Sequence, residues 1–346
     1  MKRATQDDDA TIKLQRPQAS LLRPSSSTSV LRRWGLLVAG ALVVVFGSGT
    51  AAWMFWPHSA PVIGRSSVPM AVPGLPRPPE FVIRTATEAQ IRDNVPTGMT
   101  VFRLAANPNI LVLDFASLRD QGSMLNRLGA FAEKVGLPHD RVLTDDELDR
   151  AIKRGGDTRE TFYYGHDYSA ATIARFFAWA DRDQIALSQQ EESLRRLMRQ
   201  EGWFAEGKSG GLISVPRVGS DSHINAAARA TILHHELSHG EYFSNPAYAD
   251  YTHRFWTSVL TQPERDAMRN YLILEDYDPS IGELMENEAQ AYLIFTFDPA
   301  FFAPSMVGMT EGRRAELRTK FMRDVPAPWM RETVPPQSSI ARAAAH

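Results

Sequence analysis

The run AAARATILHHELSHG, residues 226–240, carries two histidines four positions apart, His235 and His239, with Glu236 directly after the first. Its Ala and Leu content predicts a helix, with Asp221 and Ser222 as candidate caps and Gly240 as a natural terminator. On a helix, positions four apart share a face, so both imidazoles can reach one cation while Glu236 lies beside them. This is the HExxH arrangement, and its chemistry explains its spacing. Two neutral imidazoles fix one Zn2+ ion, and the adjacent carboxylate can take a proton from a water whose pKa the ion lowers to about 7. The chain has no cysteine, which excludes disulfides and thiolate sites and leaves His, Asp and Glu to hold a transition metal. His234 points about 100° away from His235 and is expected in the core or behind a ligand.

A catalytic zinc site takes a third protein ligand and keeps one position open. The segment DPSIGELMENEAQAYLIF, residues 278–295, offers one. Asp278 is expected to cap a helix with Pro279 in its first turn, after which Ile281, Leu284, Met285, Glu288, Ala291, Tyr292 and Phe295 fall on one stripe. Glu288 is the only charge on that stripe. Glu283, Glu286, Asn287 and Gln290 fall on the opposite face, where solvation accounts for them. A carboxylate directed at the core needs a partner, and a cation held by two histidines supplies it. Asp250, Glu275 and Asp276 stand as alternative ligands.

Together, HHELSHG and MENEAQAY resemble the gluzincin branch of zinc metallopeptidases, the thermolysin-like group with HExxH and a later Asn-Glu-x-x-Ala element. The resemblance covers these two helices. It implies that His235, His239 and Glu288 bind zinc and that Glu236 is the general base, with Asn287 and Ala291 matching the flanking pattern. It also implies a zincin-like catalytic domain acting on peptide bonds. The gap from His239 to Glu288 is longer than in thermolysin itself, and the metzincin extension is absent, since Tyr242 and Asn245 stand where its Gly and third His would be. Tyr242, Tyr248, His253 and Tyr292 are candidate donors to a developing oxyanion. Tyr163, Tyr164, His166 and Tyr168, in YYGHDY, are explained about as well by packing and capping.

The elements that must position these residues are legible in outline. Thr100 to Leu104 and Ile110 to Phe115 are short apolar runs around the turn-rich AANPN, and read as a hairpin or two neighbouring strands. GLISVP, Gly211 to Pro216, reads as a strand just before the HExxH helix. Thr144 with Glu147, Ser188 with Glu191 and Thr261 with Glu264 have capping-box spacing, so three helices announce their starts. Another helix is expected from Ala170 to Ala180, its aromatic residues at 176–179 facing the core. The sum is an α+β, mostly helical domain with a small sheet over residues 81–334.

Ahead of it, residues 34–56 are apolar and uncharged for longer than the roughly 20 residues a bilayer-crossing helix needs. Lys2, Arg3, Lys13, Arg16, Arg23, Arg32 and Arg33 precede that segment, which predicts a single-pass anchor in the lipid bilayer, a cytoplasmic amino terminus and an exported catalytic domain. The alternative is secretion after signal cleavage near Gly49 to Ala52. Residues 1–33 and 335–346 read as disordered tails and residues 57–80 as a Pro-rich linker. A formal net charge of −2, with no long basic run in the domain, argues against a nucleic-acid partner. The expected function is a membrane-anchored zinc-dependent hydrolase whose partner is a peptide or protein substrate. The alternative is an inactive zincin-like binding or structural protein tethered to the membrane.

Overall fold

The computed structural model describes residues 80–333. The expected tails at 1–33 and 335–346 and the apolar segment 34–56 lie outside the described residues, and of the linker 57–80 only Glu80 is described. Among the described residues no helix is long and apolar enough to cross a membrane.

The fold is mixed α/β, about 54% helical, around one five-stranded sheet. Strand β1 (Ile83–Ala86) pairs in parallel with β2 (Thr100–Leu104), and β2 pairs antiparallel with β3 (Ile110–Phe115). Across the sheet the order runs β1-β2-β3-β5-β4, with β4 (His166–Ser169) on the edge, antiparallel to β5 (Gly211–Pro216). Every residue of β3 and of β5 is buried, as expected for central strands covered on both faces. The alternation of β3 sorts its side chains: Leu111, Leu113 and Phe115 pack with α2 (Leu118–Ala132), α4 (Ala170–Arg182) and α5 (Gln189–Gln200). Ile110 and Val112 face the other way, onto Leu233 and Leu237.

Those two leucines belong to α6 (Ala226–Ser244), which lies between the sheet and a carboxyl-terminal helical half. That half comprises α7 (Pro246–Arg254), α8 (Gln262–Leu274), α9 (Gly282–Gln290) and α10 (Glu311–Asp324). Because α6 is covered on both sides, it buries its polar residues together with its apolar ones, Arg229 and Glu241 among them. A buried fork holds it in register. Arg229 Nη1 and Nη2 donate to Asp114 Oδ1 and Oδ2 at 2.8 and 2.9 Å, and the same guanidinium donates to the carbonyls of Ile91, Arg92 and Pro216.

The capping boxes expected at Thr144, Ser188 and Thr261 open α3 (Asp145–Arg154), α5 and α8. A fourth, Thr87 with Gln90, opens the short α1 (Glu88–Arg92). The cap and terminator expected for the HExxH helix are corrected. Asn225, not Asp221 or Ser222, accepts the N–H of Ala228, and α6 runs past Gly240 to Ser244. Gly240 is there for contact: a Cβ on Gly211 of β5 would stand 2.7 Å from the Gly240 Cα, and one on Gly240 would stand 3.0 Å from Ile110. Two facing glycines let helix and sheet approach backbone to backbone.

The expected start of α9 also moves. Asp278 builds a turn, accepting from the N–H of Ser280 and of Ile281, and the helix begins at Gly282 without a side-chain cap. Asn287 and Gln290, expected in solvent, are buried, because α6 and α7 cover that face: Gln290 donates to Ser238 Oγ and accepts from the Tyr248 hydroxyl.

Candidate metal centre

His235 and His239 project from the middle of α6, and Glu288 meets them from α9. His235 Nε2 lies 3.7 Å from Glu288 Oε2, and His239 Nε2 lies 3.7 Å from Glu288 Oε1. One ligand atom from each of the three falls within 4.8 Å of the others. In a tetrahedral site with bonds of about 2.0–2.2 Å, ligand atoms stand about 3.3–3.6 Å apart, so the two histidine–carboxylate separations of 3.7 Å need to close by only tenths of an ångström. The polar atoms are also short of partners. Both nitrogens of His239 and both carboxylate oxygens of Glu288 are buried without a hydrogen bond of normal geometry. Two imidazoles and a carboxylate gathered in this way fit a borderline-soft divalent ion.

The orientation of His235 is set from behind. After Gln290 the chain widens into a π turn, Ala291–Phe295, which brings Thr296 back over α6. The Thr296 hydroxyl donates to the Ala291 carbonyl at 3.1 Å, so at 2.9 Å from His235 Nδ1 it accepts the ring N–H. That fixes the tautomer: Nδ1 carries the proton and the Nε2 lone pair faces Glu288. Thr296 is held in turn by α10, whose Arg314 and Arg318 donate to its carbonyl and to the carbonyls of Tyr292 and Leu293.

Glu236 lies 3% exposed beside the pair, its Oε2 without a partner. The carboxylate lies over Gly165, where an added Cβ would stand 2.1 Å from Oε1, so a larger residue there would push the Glu236 side chain aside. Two further carboxylates, which the sequence reading passed over, complete the pocket. Asp167 on β4 places Oδ1 3.8 Å from His239 Nδ1, and Glu133 at the end of α2 shares a donor set with Asp167 and Glu288. The signal for Asp167 was a lone charge inside YYGHDY. Glu133, following an ordinary helix, gave none.

Burial dominates the electrostatics. It raises the proton affinity of Glu236 well above the usual carboxylate range, and Asp167, Glu288 and Glu133 add repulsion. Asp167 and Glu133 are raised for the same reasons. Glu288 is raised by burial and partly relieved by His239, the Tyr277 hydroxyl and Lys134. His235 is held well below its ordinary value by burial and by its neighbour His239, so it stays neutral, the form that binds metal.

Other candidates resolve individually. His234 turns away, with Nε2 3.0 Å from Glu88. Of the four proposed oxyanion donors only Tyr292 reaches the centre, its ring 4.8 Å from that of His235 and its hydroxyl unpartnered. Tyr248 is committed to Gln290 and His253 to Glu286, while Tyr242 packs against the helical core. Asp250, Glu275 and Asp276 belong to none of the donor sets. His166 is a satisfied core histidine, bonded to Ser214 and Asn126 and pushed by burial down to about 3. Tyr163 and Tyr168 pack on Gly129 of α2 with their hydroxyls toward the acidic pocket. No family model, curated protein or solved structure matches the chain.

Proposed function

We propose that this chain is a zinc-dependent hydrolase with a zincin-like catalytic domain, a metallopeptidase tethered to a membrane through residues 34–56. The observation that carries the reading is the convergence of three buried ligand side chains, with both Nε2···Glu288 distances at 3.7 Å and the His239 and Glu288 atoms without a hydrogen bond of normal geometry, next to a carboxylate that is not needed as a ligand. His235, His239 and Glu288 would hold the ion, which when bound supplies Lewis acidity toward a carbonyl and acidifies water. Glu236 then has the general-base role. Its raised proton affinity suits a group that accepts a proton from attacking water and returns it to a leaving amine. The unpartnered Tyr292 hydroxyl is the candidate donor to the developing oxyanion.

The full chain, purified in detergent, tests this by metal content and hydrolysis of a peptide library. Wild type should hold zinc and cleave. Glu236→Gln should keep the zinc and lose about 100- to 10,000-fold in rate. A wild-type chain without stoichiometric metal defeats the proposal. A second reading, an inactive zincin-like binding or structural protein, is favoured by one observation: His235, Glu236, His239 and Glu288 are each at most 3% exposed. Zinc bound equally by wild type and Glu236→Gln, with neither cleaving any library member, selects it.

A further inference from the structure

Three donor sets overlap in this pocket, and the zinc site uses one. Glu133, Asp167 and Glu288 also bring one carboxylate oxygen each within 4.8 Å of the others, from the end of α2, from β4 and from α9. Like charges about 4 Å apart repel by about 4 kcal/mol even at an effective dielectric constant of about 20, so such a gathering calls for positive charge. Were Glu133, Asp167, Glu236 and Glu288 all ionised, one dication and the Lys134 ammonium, which acts on both Glu133 and Glu288, would match three of their four charges. The orphaned atoms point the same way. Both Glu288 oxygens are fully buried without a hydrogen bond of normal geometry, more acceptor capacity than one ion bound through a single oxygen would use.

We propose that the centre is binuclear, with a second, harder divalent cation of the Mn2+ or Mg2+ class between Glu133, Asp167 and Glu288, and Glu288 bridging the two ions. The inference rests on the zinc reading of the first site. Imidazole-bearing donors suit zinc, whereas an all-carboxylate set suits a hard cation that keeps water ligands. Asp167, with its side chain 11% exposed, gives that ion its route to solvent.

The test uses the full chain, stripped with chelator, reloaded with one equivalent of Zn2+ and titrated with Mn2+, following the free Mn2+ signal by electron paramagnetic resonance and zinc by mass spectrometry. Wild type should take up Mn2+ and keep its zinc. The Glu133→Gln/Asp167→Asn double variant should bind Mn2+ about 100-fold more weakly with zinc content unchanged, because affinity for hard cations follows the ligand charge count. Should the double variant lose zinc through misfolding, Glu133→Gln alone carries the same comparison. A zinc-loaded wild type that leaves millimolar Mn2+ free overturns the second site while the first stands, and so does Mn2+ binding undiminished in the variants. A chain that holds no zinc overturns the zinc reading itself, and zinc content separates that failure from the other.

Discussion

Replacing Thr296 with valine isolates the link between the π turn and His235. Valine keeps the branched shape and puts a methyl group, which can neither donate nor accept, in place of the hydroxyl. The Ala291 carbonyl retains the N–H of residue 296 as a donor at 3.0 Å, so the one buried polar atom left without a partner is His235 Nδ1. An orphaned buried donor costs about 1–3 kcal/mol. In the metal-free chain the ring can turn to recover part of that, but with Nε2 committed to an ion it cannot, so the cost falls on the bound state. Loss of such an outer partner weakens metal binding by about 10- to 100-fold, or about 1.4–2.7 kcal/mol, and the two estimates agree. At about 2–4 °C per kcal/mol for a domain of this size, the zinc-induced rise in Tm should shrink by about 3–10 °C. Competition against a chelating dye gives the Kd, and calorimetry with and without zinc gives the Tm gap. Thr296→Ser should behave like wild type. A valine variant whose Kd stays within about 2-fold of wild type would refute the assigned tautomer.

Other consequences are equally direct. Arg229→Met leaves the Asp114 carboxylate buried with Asn94 as its remaining partner and should cost about 3–5 kcal/mol in denaturant unfolding; adding Asp114→Asn should restore much of it. Gly211→Ala forces a methyl against the Gly240 backbone, and even a partial shift of α6 should cost about 1–3 kcal/mol, read from the same unfolding curves. In the metal-free chain, Glu133, Asp167 and Glu236 have folded proton affinities raised above their unfolded ones. Their contribution is therefore fully present below about pH 4 and is lost as pH rises toward the raised folded values, by up to about 1.4 kcal/mol per pH unit for each group still protonated. His235 runs the other way, contributing above about pH 6.5 and losing that contribution as pH falls below it. Relative to the Glu133→Gln/Asp167→Asn variant, which lacks two of the raised carboxyls, the metal-free wild type should therefore lose Tm as pH rises; superimposable profiles contradict the raised affinities.

What the sequence disclosed was mostly local physics. The capping boxes at Thr144, Ser188 and Thr261 need only four residues each, and the strands Ile110–Phe115 and Gly211–Pro216 are apolar runs with turn residues at their ends. Glu288 was legible because its neighbours on the helix are apolar, so one charge on the inner stripe stood out. The misreadings have a common cause in tertiary contact. Gly240 looks like a terminator until Gly211 is seen opposite it, and Asn287 and Gln290 look solvated until α6 and α7 close over them. Glu133 and Asp167 reach the pocket from the end of one helix and the edge of the sheet, and no short-range pattern joins those two places. Thr296 lies past the end of a regular α-helix, and only the π turn brings its hydroxyl back to His235.

The clamp that Arg314 and Arg318 place on the carbonyl of Thr296 also orders events in time. During synthesis the two histidines emerge first, then Glu288, then the threonine that aims His235, and only with α10 the guanidiniums that hold that threonine still. A nascent chain carries its ligands well before it can orient them. On the proposed zinc site, metal capture would be a late step, coupled to completion of the domain, and a chain cut short before Glu311 should carry all three proposed ligands yet hold an ion weakly.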